Sequence, residues 1–209
     1  MVIPLAAIIL AGGGSRRLSG ADKCWMEVAG RPILESVAAA AARTARLAPR
    51  IVVVGPRRDL ITPVLWTREE PPGAGPVAGL QAGLAALDAA GGDAGSGGPR
   101  PDRVLILGGD MPFVGLGLDE LLRDDADAST DVVIAQDAAG RDQYLFAVWR
   151  TASLRAALAS AAANASLRSL YRDFEVTRRT LPAAATLDCD TPAQLALARE
   201  LGLIQPVPD

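Results

Sequence analysis

Apolar residues fall along this chain in short, continuous runs with polar, glycine-rich punctuation between them. The first run, Pro4 to Leu10, reads as a strand, and a glycine-rich loop follows it through Asp22. Residues 32–46 read as a helix with Pro32 in its first turn, and Ile51-Val52-Val53-Val54 as a buried strand closed by Gly55-Pro56. Val64 to Thr67 is a weaker strand and Val77 to Ala90 a helix. Residues 91–101 form a low-complexity stretch expected to be a disordered loop. Beyond it the pattern predicts strands at 104–107, 132–135 and 144–149. It predicts helices at 118–125, 151–163, 167–171 and 191–201. Asp190 is placed to cap the last helix.

Strands alternating with helices predict an α/β fold, three layers deep, around a mostly parallel sheet. The strands are continuous apolar runs, as a sheet covered on both faces requires. One domain spanning residues 1–209 is expected, without repeats. Ligands of such sheets bind beyond the carboxyl ends of the strands. That rule directs attention to residues 11–23, 55–58, 69–76, 108–112 and 188–190.

Composition narrows the chemistry. Half of the 209 residues are hydrophobic, 22% are charged, and the net charge is −3. This argues against disorder and gives no basic surface for nucleic acid. There is no histidine, so Ser-His-Asp and Cys-His catalysis and His-containing metal sites are excluded. Cys24 and Cys189 form no CxxC pair and read as small buried residues, which suits a reducing cytoplasm. The apolar run at 2–10 is too short to cross a bilayer and lacks the preceding basic residues of a signal peptide, so no membrane association is expected. Of the 21 basic residues only Lys23 is a lysine. It closes the most glycine-rich motif in the chain, where a compact ammonium differs in kind from a guanidinium.

In that motif Gly12, Gly13 and Gly14 let backbone N–H groups approach an anion, and Arg16, Arg17 and Lys23 supply cations. It does not end in the Gly-Lys-Ser/Thr of a Walker A loop. Arg17 stands where a dinucleotide fingerprint needs its third glycine, which speaks against a nicotinamide-dependent oxidoreductase. LAGGGSRRLSGADK resembles the signature of the MobA-like nucleotidyltransferases, the branch that includes the molybdenum cofactor guanylyltransferases. Ser19 departs from it, where glycine is usual. Pro72-Gly73-Ala74-Gly75-Pro76-Val77-Ala78-Gly79, Gly109-Asp110-Met111-Pro112, Gly140-Arg141-Asp142-Gln143-Tyr144-Leu145 and Leu187-Asp188-Cys189-Asp190-Thr191-Pro192 resemble its later segments, in order.

The resemblance implies a Rossmann-like fold of the nucleotide-diphospho-sugar-transferase type. It implies Mg²⁺-dependent transfer of GMP from GTP to the terminal phosphate of molybdopterin or the molybdenum cofactor, releasing pyrophosphate. Arg17, Lys23 and Asp110 would then be catalytic. Leu10, Ala11, Gly12, Gly13, Gly14, Lys23, Gly75, Asp110 and either Glu69 or Glu70 would bind the nucleotide. Asp110 and Asp190 would hold the metal, with Asp190 alternatively a simple helix cap. Asp188, Arg141 and Gln143 would face the acceptor, and Arg57, Arg58, Arg168, Arg178 and Arg179 are further candidates for an anionic acceptor. Tyr144 replaces the family's proline there, and Gly55 stands where the guanylyltransferases can carry a polar residue near the base. Other readings are cytidylyl transfer to molybdopterin, guanylyl transfer to phospholactate, or an inactive nucleotide-binding homologue. A molybdoenzyme or cofactor-delivery partner and a monomeric or weakly oligomeric state complete the expectations.

Overall fold

The computed structural model describes residues 5–12, 22–44, 50–91, 101–123, 130–162 and 164–204. β1 (Leu5–Leu10) lies between β4 (Arg50–Val54) and β6 (Arg103–Gly108). With β5 (Leu65–Thr67), β7 (Val132–Gln136), β8 (Asp142–Arg150) and β9 (Val176–Thr180), they form a seven-stranded sheet of order β5-β4-β1-β6-β8-β7-β9. Every neighbouring pair is parallel except the two made by β8. A small hairpin, β2 (Glu27–Val28) with β3 (Arg31–Pro32), stands apart from the sheet.

Successive strand residues point to opposite faces, so a run apolar at every position feeds two cores. Ala7 and Ile9 of β1 join one core with α1 (Ile33–Thr44), α3 (Gly115–Leu121) and α6 (Pro192–Ile204). Ala6 and Ile8 join the other with α2 (Pro76–Gly91), α4 (Thr151–Ser160) and α5 (Leu167–Leu170). The expected three-layer α/β/α architecture is therefore present. α2 lies close on β1 because Gly79 and Gly83 face it. A Cβ on Gly83 would stand 2.6 Å from Cγ2 of Ile8.

Four features depart from the sequence reading. β9 carries the polar sequence VTRRT and gives no apolar signal. Its Arg179 is nonetheless buried and donates to the carbonyls of Glu120 (3.0 Å) and Arg123 (3.1 Å), satisfying acceptors where α3 ends. The two-residue strands β2 and β3 are too short for any periodicity to reveal. α3 begins at Gly115 and ends at Leu121, earlier at both ends than the apolar pattern suggests. Asp190 does not cap α6. The Thr191 hydroxyl accepts the Gln194 backbone N–H at 3.2 Å and donates to Oε1 of the same glutamine at 2.9 Å, a pairing at capping-box spacing. The low-complexity stretch expected to be disordered lies almost wholly outside the described residues. Among the described residues no helix is long and apolar enough to cross a membrane.

Glu35, buried on α1, fixes the connection between β4 and β5. Its carboxylate accepts from the Ile61 N–H (2.8 Å), the Thr62 N–H (3.2 Å) and the Thr62 hydroxyl (2.6 Å). Glu35→Ala leaves these donors without their acceptor and should cost about 1–3 kcal/mol. The check is a thermal midpoint lower by roughly 2–4 °C per kcal/mol.

Candidate active site

Beyond the strand ends the sheet's hydrogen bonding continues across the loops. The Gly55 N–H donates to the Thr67 carbonyl, Ala11 to Val54 and Gly109 to Leu10, each at 2.9 Å. Cys189 donates to Asp110 at 3.0 Å. This ladder ties the loops after β5, β4, β1 and β6 and the segment before α6 into one ledge at the carboxyl edge. The backbones approach so closely that two positions have little or no room for a side chain. A Cβ on Gly55 would meet the Ala11 carbonyl carbon at 2.8 Å and the Gly12 nitrogen at 2.9 Å, and its φ is +150°. One on Gly109 would stand 3.1 Å from the Leu10 carbonyl oxygen. Gly55 is therefore a packing requirement on this backbone and offers nothing to a base.

On this ledge the Lys23 ammonium donates to Oδ2 of Asp110 and, at 2.6 Å, to Oδ1 of Asp190. Lys23 reaches inward from a single 3-10 turn (Lys23–Trp25) that follows the glycine-rich segment. Asp110 follows β6, and Asp190 precedes α6. Burial alone would lower the lysine's pKa, but the two carboxylates outweigh it and hold the ammonium protonated well above its ordinary range. Asp188 sits beside them with its carboxyl raised, first by burial and then by the charges of Asp190 and Asp110. It accepts from the Gln194 amide at 2.5 Å. Cys24 and Cys189 are buried free thiols. Burial first, and then nearby carboxylates, push both up to about 12, so neither is a thiolate at neutral pH.

Asp110 and Asp190 already converge on one cation with hard oxygen ligands. That donor set suits Mg²⁺, which takes one or two carboxylates and completes its shell with phosphate oxygens and water. Among the described residues no cluster of three or more His, Cys, Asp or Glu side chains forms a complete protein cage.

The remaining candidates divide. Glu69 is half-buried, accepts the Gly73 N–H at 2.9 Å, and lies 3.8 Å from where a Cβ of Gly12 would be. Glu70 is exposed. Leu10, Ala11 and Gly12 line the ledge, and Gly75, at φ +96°, supplies the turn into α2. Gly13, Gly14, Arg16 and Arg17 lie outside the described residues. Arg141 and Gln143 lie at the turn from β7 to β8, on the same edge. Their side chains turn to Asp137 (2.7 and 3.5 Å), with no hydrogen bond to the Lys23 cluster. Asp142–Leu145 project past the last residue of β6 paired with β8. Tyr144 packs on Tyr171 and its carbonyl accepts that hydroxyl at 2.8 Å, so its ring belongs to an aromatic cluster with Trp149.

Of the arginines considered for an acceptor, Arg178 pairs with Asp142 at 3.1 Å, Arg179 is buried under α3, and Arg58 pairs with Asp22. Arg57 and Arg168 are exposed. Sequence reasoning missed the hold of Arg58 on Asp22. An acidic residue immediately before the lone lysine was the available signal.

Residues 7–184 match the model of the MobA-like NTP transferase domain. A probable molybdenum cofactor guanylyltransferase of Mycobacterium tuberculosis is 34% identical over 153 residues, covering 71% of this chain and 69% of that one. The molybdenum cofactor guanylyltransferase of Rhodobacter capsulatus is 32% identical over 157 residues, covering 72% and 70%. The solved structure of molybdopterin-guanine dinucleotide biosynthesis protein A from Archaeoglobus fulgidus has the same fold. Its TM-score is 0.65 at 20% identity, over 96% of this chain and 100% of that one.

The Gly55 contact yields a direct test. Gly55→Ala should destabilise by about 1–3 kcal/mol through backbone strain alone, and more if the ledge cannot give. Urea unfolding with an unchanged slope and a lower midpoint is the expected result.

Proposed function

The chain belongs to the MobA-like NTP transferase family and is a nucleotidyltransferase, and from that premise we propose that it transfers GMP from GTP to the terminal phosphate of molybdopterin or the molybdenum cofactor. The observation that carries this reading is the meeting of Lys23, Asp110 and Asp190 at the mouth of the glycine-rich segment. Support for the acceptor comes from the relatives, which carry the name molybdenum cofactor guanylyltransferase.

An oxygen of the acceptor phosphate attacks the α-phosphorus in line. The new P–O bond forms as the bond to pyrophosphate breaks. The acceptor is anionic at neutral pH, so no strong general base is needed, and a chain without histidine can do this chemistry. The task is to align two anions and neutralise them. The glycine-rich segment with Arg17 takes the triphosphate, and Lys23 brings a fixed positive charge to it. Asp110 and Asp190 would hold Mg²⁺, which when bound would supply Lewis-acid stabilisation of charge on the phosphates. Glu69, over Gly12, accepts the N1–H and amino group of guanine. The acceptor enters from the side of Asp188 and the β7–β8 turn. Because Gly55 presents no side chain to a base, cytidylyl transfer is the competing reading.

Thermal midpoints with each of GTP, CTP, ATP and UTP, with and without Mg²⁺, test the base. GTP at 100 times its dissociation constant should add about 2.7 kcal/mol, with a larger effect when Mg²⁺ is present. A rise with CTP alone would overturn the guanine assignment. With GTP and molybdopterin, Asp110→Ala and Lys23→Arg should each reduce pyrophosphate release by about 100-fold or more, with the fold kept. Wild-type turnover by Asp110→Ala would remove that residue from the metal site.

A further inference from the structure

Arg58 lies outside every motif that carries the family resemblance, yet its side chain is only 9% exposed. Nε and Nη2 donate to the two carboxylate oxygens of Asp22 at 2.7 and 2.8 Å. Nη2 also donates to the Ala11 carbonyl at 3.2 Å, and Nη1 to the Pro56 carbonyl at 3.0 Å. Ala11 and Asp22 are the residues that flank segment 12–21, the glycine-rich stretch between β1 and Lys23. One guanidinium therefore holds both ends of that segment and fixes them to the loop after β4. Asp22 in turn is the residue next to Lys23. We propose that Arg58 is a positioning residue: its hold on Asp22 and Ala11 sets the mouth of the triphosphate-binding segment and the place from which Lys23 reaches its partners.

The planar fork is essential to this role. Asp22 is gripped side-on by two parallel N–H donors while the same group reaches two carbonyls, and a lysine has no geometry that reproduces both. The proposal rests on the reading that segment 12–21 takes a triphosphate. It does not rest on the identity of base or acceptor.

The test uses the full chain and two probes, GTP with Mg²⁺ and base-free inorganic tripolyphosphate with Mg²⁺. Dissociation constants and unfolding midpoints are measured for wild type, Arg58→Lys, Arg58→Gln, Asp22→Asn, Lys23→Met and Glu35→Ala. The doubles Arg58→Lys/Asp22→Asn and Arg58→Lys/Lys23→Met are measured alongside. Arg58→Lys should weaken both probes by at least about tenfold and rescue nothing relative to Arg58→Gln. Its double with Asp22→Asn should be no worse than the worse single variant. In the Lys23→Met background, Arg58→Lys should add no more than about a twofold loss, because the two act as a unit. Glu35→Ala releases the far end of the loop that carries Arg58, so it should lower the midpoint while keeping affinity for both probes.

Three results would overturn the proposal: Arg58→Lys binding both probes like wild type, losses that multiply in the Lys23→Met background, or loss of affinity in Glu35→Ala matching that of Arg58→Lys. A wild-type chain that binds neither probe would overturn it as well. Wild-type binding of both probes without turnover on molybdopterin would remove the guanylyl-transfer reading and leave the role of Arg58 intact.

Discussion

Two carboxylates brought together at the edge of a half-buried cleft repel each other unless a cation stands between them. Asp110 and Asp190 come from distant parts of the chain, one after β6 and one before α6, and Lys23 answers both. The rest of the cleft is arranged to make that meeting possible. β1 delivers the glycine-rich segment, β6 carries Asp110 to the sheet edge, and the Cys189–Asp110 backbone bond brings the last carboxylate alongside. Asp188 sits beside the cluster, its carboxyl raised by burial first and then by the negative charges of Asp190 and Asp110.

The backbone ladder explains why the ledge is built from glycine and short side chains. Each loop donates one N–H to the loop or strand beside it, so the chain segments lie at sheet spacing after the strands have formally ended. Side chains at Gly55 or Gly109 would push these segments apart. The cleft's chemistry therefore comes from positions that flank the ledge, where there is room for Lys23, Glu69 and Asp190.

Much of this was legible in the chain, and the misses have physical causes. β1, β4 and β6 are apolar on both faces and announce themselves, as do the glycine-rich segment and the lone lysine within it. β9 stayed hidden because its stability comes from pairing with β7 and from Arg179 under α3, neither of which a local pattern encodes. Asp190 and Thr191 both have N-cap chemistry, and only the geometry shows that Thr191 takes the cap and leaves Asp190 for Lys23. Glu69 and Glu70 are equivalent as letters; the turn that brings the Gly73 N–H to Glu69 separates them. Arg58 read only as a candidate for an anionic acceptor, because its partners are 36 and 47 positions away.

The double grip of Arg58 also changes when an entropic cost falls due. Tethering the ends of a ten-residue stretch, residues 12–21, removes chain freedom that grows only slowly with its length. Here the tether forms as the protein folds, so the loss is charged against folding stability. A ligand arriving later meets a stretch whose two ends are already fixed, and more of its contact energy remains as affinity.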